Sequence, residues 1–63
     1  MFKVGYYSVE LSIISAELFK DYLRNESIKY EPSSCYNLTH FEIFVTSQKQ
    51  YDSINAFLQF LPA

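Results

Sequence analysis

The sequence has few of the residues on which common functional sites are built. It contains one cysteine and one glycine in 63 residues. One cysteine cannot form the intramolecular disulfide on which small secreted domains rely. One glycine cannot supply the glycine-rich loops that bind phosphates or dinucleotides. We therefore expect a cytoplasmic protein that has no disulfide, no nucleotide loop and no cofactor.

Positive charge is also scarce. Five Lys and Arg stand against seven Asp and Glu, so the net charge is −2 at pH 7. Proteins that bind nucleic acid present clustered Lys and Arg to the phosphates, so a nucleic-acid partner is not expected. No apolar run approaches the ~20 residues that span a bilayer. The first fifteen residues also lack the apolar centre of a signal peptide, and no membrane partner is expected.

Aromatic residues, in contrast, are abundant. Six Tyr and six Phe make up 19% of a chain whose hydrophobic fraction is 49%. A chain of this length buries only ~60% of its unfolded surface when it folds alone. The large rings must therefore compensate for the small core, or some of them face a partner.

The first half of the chain predicts a strand followed by a helix. Residues 2–7 alternate with the period of a strand, with Phe2, Val4 and Tyr6 on one side. Ser8 has the side chain of a helix N-cap, and the helix is predicted over residues 9–25. Its apolar side is formed by Leu11, Ile14, Leu18, Phe19, Tyr22 and Leu23.

The second half predicts two strands and a second helix. A short edge strand covers residues 28–31 and is ended by Pro32, which lacks a ladder donor. After an irregular stretch, residues 38–45 alternate strongly, with Phe41, Ile43 and Val45 on the core side. Ser47 to Gln50 match a capping box. Helical spacing then relates Tyr51, Ile54, Phe57, Leu58 and Leu61, with Pro62 after the last turn.

These elements predict one domain over residues 1–63, of the α+β class. The order β-α-β-β-α is that of a ferredoxin-like fold lacking its last strand: a two-layer sandwich with the third strand central and both helices on one face. We expect a core cluster of Phe41, Ile43, Ile54 and Leu58 with Val4 and Leu18. Without a fourth strand, the first strand is an open edge, and the uncovered sheet face should present Lys3, Gly5, Tyr7, His40, Glu42 and Phe44.

Two stretches carry a resemblance to a known family. AELFKDYLRNESIKYE, residues 16–31, and FVTSQKQYDSINAFL, residues 44–58, resemble short prokaryotic signal-transducing domains, which are similar to half of a nitrogen-regulatory ferredoxin-like domain. Members commonly have Gly where Ser27 stands. The resemblance implies a small regulatory or adaptor module and transfers no site residues.

Few side chains in the sequence are suited to catalysis or metal binding. Cys35 and His40 are single copies five residues apart, and the third strand carries His40 away from the loop that holds Cys35, so a catalytic pair is not expected. Cys35 is read as a plain loop cysteine, with a redox-sensitive or carrier thiol as the alternative. His40 and Glu42 share one strand face, but a zinc site needs three or four ligands, so an ion pair is predicted.

Two hypotheses of function remain. The first is a non-enzymatic protein-binding or regulatory module that acts through the edge of the first strand and the open sheet face, either as a homodimer or on another protein. The second is an inhibitor, encoded by a virus or mobile element, that blocks a host enzyme or defence protein with an edge strand or an aromatic loop. For both, the predicted partner-binding residues are Tyr7, Tyr36, Phe44, His40 and Glu42.

Overall fold

A computed structural model describes residues 2–61 of the chain. The elements are β1 Gly5–Ser12, α1 Ile13–Asn25, β2 Tyr30–Cys35, β3 Leu38–Val45 and α2 Gln48–Gln59. This order confirms the predicted β-α-β-β-α arrangement. The predicted helix stop at Pro62 lies outside the described residues. Within residues 2–61, neither helix combines the length and the hydrophobicity needed to cross a bilayer.

The sheet has the order β1-β3-β2, and both pairings are antiparallel. The central position of β3 is therefore confirmed. Gly5 pairs with Val45 and Ser12 with Leu38, so all eight residues of β1 are matched to β3 without interruption. Across residues 2–61 the result is an α+β domain with a ferredoxin-like arrangement of three strands and no fourth.

One core lies between the sheet and the two helices. Phe41, Ile43 and Val45 of β3 are completely buried, as their alternation predicts. The core cluster comprises Ala16, Phe19, Leu23, Ile28, Phe41, Ile43, Val45 and Ile54. Phe19 packs its ring edge against Phe41, with centroids 5.1 Å apart. Both helices thus pack on one face of the sheet, and the other face has no helix over it among residues 2–61.

The predicted boundary between β1 and α1 is wrong. β1 continues to Ser12, and Ser12 rather than Ser8 is the N-cap of α1, since its Oγ accepts a hydrogen bond from the Ser15 N–H at 3.4 Å. Both serines are suitable caps by residue type. The eight-residue pairing with β3 selects the later one, because a helix starting at Val9 would abandon half of that ladder.

The predicted facing of β1 is also inverted. Tyr7, Val9 and Leu11 pack against the core, whereas Val4 and Tyr6 are 61% and 57% exposed. A shift of one residue moves every side chain of a strand to the opposite face. The predicted core contact of Val4 is therefore wrong.

Two predicted core positions on α1 are exposed as well. Ile14 is 73% exposed and Leu18 is 46% exposed. The buried stripe consists of Ser15, Ala16, Phe19 and Leu23. At 100° per residue this stripe lies to one side of the predicted apolar arc, so Ile14 and Leu18 on the other side of the arc do not reach the core.

The start of α2 and the end of α1 both have defined hydrogen-bonded motifs. At the start of α2, Ser47 Oγ accepts from the Gln50 N–H at 3.1 Å, while Gln50 Oε1 accepts from the Thr46 N–H at 2.9 Å. The predicted capping box is thus present, with its return bond one residue earlier than expected. After α1, Ile28 N–H donates to the Leu23 carbonyl at 2.9 Å and Ser27 has φ 55°. This is a Schellman motif with serine at the position that favours glycine.

Candidate functional site

The sheet face opposite the helices carries the side chains that alternate with the core residues. Residues paired across strands share a face, so those opposite the buried set can be assigned from the register. This uncovered face comprises Tyr6, Ser8 and Glu10 from β1, Leu38, His40, Glu42 and Phe44 from β3, and Glu31, Ser33 and Cys35 from β2. His40, Glu42 and Phe44 therefore lie on one face, as predicted.

Tyr7 does not belong to this face, and its predicted position is wrong. It pairs with buried Ile43 on the helix side and is half-buried there. Its ring lies 5.9 Å from that of Phe2 and 5.0 Å from that of Tyr51, and its hydroxyl donates to the Lys3 carbonyl at 2.6 Å. These groups hold Tyr7 in an internal aromatic contact, so it is removed from the candidate surface.

Tyr6 takes the place that the sequence assigned to Tyr7. It lies opposite Phe44 in the β1–β3 ladder, and the two rings are tilted with centroids 5.1 Å apart. Sequence reasoning missed Tyr6 because it ended the alternation at Tyr7. The continued alternation of Tyr7, Val9 and Leu11 with polar residues, in the stretch YSVELS, was the signal that could have found it.

A small polar network lies beside the ring pair. His40 Nε2 is 3.0 Å from Glu42 Oε1, and the Ser8 hydroxyl donates to the same oxygen at 3.2 Å. The hydrogen bond from His40, and then that from Ser8, lower the pKa of the Glu42 carboxyl below its usual range. The predicted contact between His40 and Glu42 is present. Within residues 2–61, no group of three or more His, Cys, Asp or Glu side chains could hold a metal ion.

The turn between β2 and β3 presents Tyr36, the last of the five predicted residues. Tyr36 is 95% exposed and has φ 56°, a conformation that is strained for a bulky side chain. Cys35 is a free, exposed cysteine opposite Leu38, whereas His40 lies opposite Ser33. Tyr36 is thus held at the tip of a tight hairpin, at one end of the uncovered face.

The edge of β1 is open, and the hydrogen-bond pattern shows which of its groups face outward. The Phe44 N–H donates to the Lys29 carbonyl at 3.0 Å, so Phe44 directs its backbone groups toward the β2 side. In an antiparallel sheet the direction alternates along a strand, so Ile43 bonds with its β1 partner, Tyr7. By the same alternation, the backbone groups of Tyr6 and Ser8 point away from the sheet. Those of Glu10 do so as well.

The opposite edge of the sheet differs because it contains a proline. Pro32 lies inside β2, opposite Phe41, and does not end the strand as predicted. The alternation that frees Ser8 on β1 places Pro32 in a pair that exchanges no backbone bonds, so its missing N–H belongs to the outer edge. The proline therefore costs no backbone hydrogen bond between β2 and β3. The β2 edge lacks a donor at its centre, whereas the β1 edge has every donor.

A groove between the helices was not predicted from the sequence. It has a volume of about 370 Å³ and is lined by Leu18, Asp21, Tyr22, Asn25, Phe57, Phe60 and Leu61. The rings of Tyr22 and Phe57, which both line this groove, are stacked with centroids 4.3 Å apart. Sequence reasoning placed Leu18 in the core and so left no apolar residue to line a groove here.

Comparison of the chain with protein-family models, with curated proteins and with solved structures gave no match. The geometry of the uncovered face and of the β1 edge is therefore the basis on which a function can be argued.

Proposed function

We propose that this protein is a non-enzymatic protein-binding module with a regulatory role, which binds an extended segment of a protein along the edge of β1. The observation that carries the proposal is that the two sheet edges differ in the backbone groups they direct to solvent. One edge has a proline at its centre, while the other directs the donors and acceptors of Tyr6, Ser8 and Glu10 to solvent. A cytoplasmic location and self-association belong to the same proposal.

The physical basis is the addition of a strand to an exposed edge. Main-chain hydrogen bonds supply affinity in this mode of binding, and side chains on alternate positions supply specificity. Proteins that avoid such pairing protect their edges with proline, lysine or a bulge. β1 has none of these within Gly5–Ser12, and its only charged residue is Glu10. The β1 edge is therefore built as an acceptor of another strand.

The uncovered face beside β1 provides anchors for a bound segment. Tyr6 is exposed on the edge strand and is supported from behind by the Phe44 ring. Aromatic residues held by their neighbours commonly dominate the free energy of protein binding. Glu42 and His40 lie two and four residues before Phe44 and form a polar border to this ring pair. A bound segment can thus contact the edge backbone and the aromatic pair together.

A matched pair of proline substitutions tests the proposal. Ser8→Pro removes an outward N–H from the β1 edge, and Ser34→Pro removes one from the β2 edge, because Ser34 lies opposite Thr39 in a pair that exchanges no bonds. Both variants should keep the internal ladders and the circular dichroism spectrum of the parent. Immobilised wild type and Ser34→Pro should retain a protein from a lysate of the source cells, and Ser8→Pro should lose it.

Equal retention of the captured protein by Ser8→Pro and wild type would show that the β1 edge does not bind it. A third variant, Val9→Pro, is a control for folding. Val9 directs its N–H toward β3, so proline there should unfold the sheet. Comparison with Val9→Pro separates a loss of edge binding from a loss of structure.

One observation favours the second hypothesis, an inhibitor that inserts an aromatic loop into an enzyme. Tyr36 is almost completely exposed and is held at positive φ, and strained residues of this kind cluster at binding sites. In that case Tyr36→Asn, which suits the turn better, should abolish capture of the target while Ser8→Pro leaves it unchanged. The two hypotheses therefore predict opposite results for the same pair of variants.

A further inference from the structure

We infer, on the basis of the edge-binding function proposed above, that the occupant of the β1 edge is a second copy of this chain. The two β1 strands pair antiparallel about a two-fold axis with Val9 opposite Val9 of the second copy. The two sheets then form one continuous six-stranded sheet with all helices on the same side. Four observations on β1 and its flanks support this partner and this register.

The first observation is the position of the free backbone groups. Only residues that direct their amides outward can exchange hydrogen bonds across the new interface, and these are Tyr6, Ser8, Glu10 and, by the same alternation, Ser12. With Val9 at the centre, Ser8 pairs with Glu10 of the second copy. Tyr6 then pairs with Ser12, so all four residues on each strand are used. With Ser8 at the centre, Ser12 would have no partner within β1.

The second observation is the pattern of apolar side chains. Tyr7, Val9 and Leu11 face the helix side of the sheet and are only half-buried in the single chain. In the proposed register Tyr7 lies opposite Leu11 of the second copy, and the two Val9 side chains meet. Centring on Ser8 would instead place Leu11 opposite Gly5, which has no side chain. The proposed register therefore extends the core across the interface.

The third observation concerns charge. Glu10 is the only charged residue of β1. Like charges directly opposite each other destabilise a pair of strands, and the proposed register avoids this. It places Glu10 opposite Ser8, which carries no charge. The strand is thus compatible with its own copy.

The fourth observation is that exposed apolar residues flank both ends of β1. Val4 precedes the strand and Ile13 and Ile14 follow it, and all three are large hydrophobic residues exposed to solvent. Antiparallel pairing brings the start of one β1 to the end of the other. Val4 of each copy therefore approaches the segment that holds Ile13 and Ile14 of the other, and apolar surface is covered at both ends.

The β2 edge does not offer an equivalent contact. A second copy that joined its β2 to β1 would meet Pro32, which has no N–H to give at the centre of the edge. Such a head-to-tail arrangement would also leave a free edge on each copy and continue into a filament. Pairing of β1 with β1 uses the same surface twice and closes as a dimer.

Cysteine substitutions on a Cys35→Ser background report the register directly. In the proposed register the Val9 Cα atoms are about 4.5 Å apart, within the span of a disulfide, while those of Ser8 are about 7 to 8 Å or more apart. Val9→Cys should therefore give a covalent dimer under mild oxidation and Ser8→Cys should give little. Since Ser8 is exposed and Val9 is half-buried, random collisions would favour the opposite result.

Light scattering of the wild-type chain completes the test. Twice the chain mass at micromolar concentration, together with a Val9→Cys crosslink, is the expected result. A crosslink at Ser8→Cys instead of Val9→Cys would overturn the register, and a strict monomer would overturn the second copy as the partner. In the latter case, capture of another protein that is lost in Ser8→Pro would still support the proposed edge binding. Insensitivity to Ser8→Pro would remove that function as well.

Discussion

The imidazole Nε2 of His40 lies 3.0 Å from Oε1 of Glu42, two residues farther along β3 on the uncovered face. An ionised carboxylate only accepts hydrogen bonds, so Nε2–H is the donor. The same oxygen accepts from Ser8 across the β1–β3 ladder. Glu42 therefore links the edge strand to the central strand through side chains, in addition to the backbone ladder.

This arrangement predicts a pH dependence of stability. The hydrogen bonds from His40 and Ser8 lower the pKa of Glu42 in the folded chain below its ordinary value near 4.5. A lowered pKa contributes stability that is complete above the ordinary value and is lost as pH falls through the folded value. The urea midpoint of Glu42→Gln should lie below that of wild type at neutral pH, and the difference should shrink as the pH is lowered below 4.5.

The Ser8→Ala variant is the matched control, because it removes only the second donor. It should show part of the same pH-dependent difference. If the difference in urea midpoint between wild type and Glu42→Gln did not change with pH, the hydrogen bonds of the folded chain would not favour the ionised form of Glu42.

A pair of identical substitutions tests the core. Ile43 is buried at the centre of β3, whereas Ile14 is largely exposed on α1. Ile43→Ala should lower the free energy of unfolding by ~2 to 5 kcal/mol through lost burial and a residual cavity. Ile14→Ala, measured at a concentration at which the chain is monomeric, should change it by less than ~0.5 kcal/mol. Urea denaturation measures both, and a greater loss for Ile14→Ala would contradict the assigned core.

The turn after α1 predicts a stabilising substitution. Ser27 has φ 55° at the position of the Schellman motif where glycine has no steric penalty. Ser27→Gly should therefore raise the free energy of unfolding by ~1 kcal/mol. Ser53→Gly in the exposed interior of α2 is the control, and it should lower stability by about 0.5 kcal/mol. Thermal unfolding that gives the same sign for both variants would contradict the strain at Ser27.

The location of the binding surface can be mapped with aromatic and charged variants. Phe44→Ala removes the ring that supports Tyr6 and should weaken partner binding by ~2 kcal/mol in a titration. Lys20 and Arg24 form exposed pairs with Glu17 and Asp21 on α1. Replacing both by alanine should leave binding unchanged. The reverse outcome would place the binding surface on α1 and not on the uncovered sheet face.

Much of the fold could be predicted because some segments allow only one assignment. In residues 38–45, Phe41, Ile43 and Val45 recur at every second position, which is the period of a strand and not of a helix. The segment between Ser47 and Leu61 has both a cap and helical spacing, so it leaves no alternative. With these two elements and the amphipathic α1, the order β-α-β-β-α and the central position of β3 follow. His40, Glu42 and Phe44 then share a face for the same reason.

The sequence by itself thus determined the order of the elements, the facing of β3 and the face that no helix covers. Only the tertiary structure decided β1, because residues 2–12 contain two candidate caps, Ser8 and Ser12, and apolar residues on both alternating sets. Pairing with all eight residues of β3 selected Ser12, which turned Tyr7 toward the core and Tyr6 toward solvent. The ladder between β2 and β3 accommodates Pro32, because the N–H that proline lacks would point away from β3. Long-range pairing, which no local pattern encodes, therefore decided which backbone groups of β1 and β2 point away from the sheet.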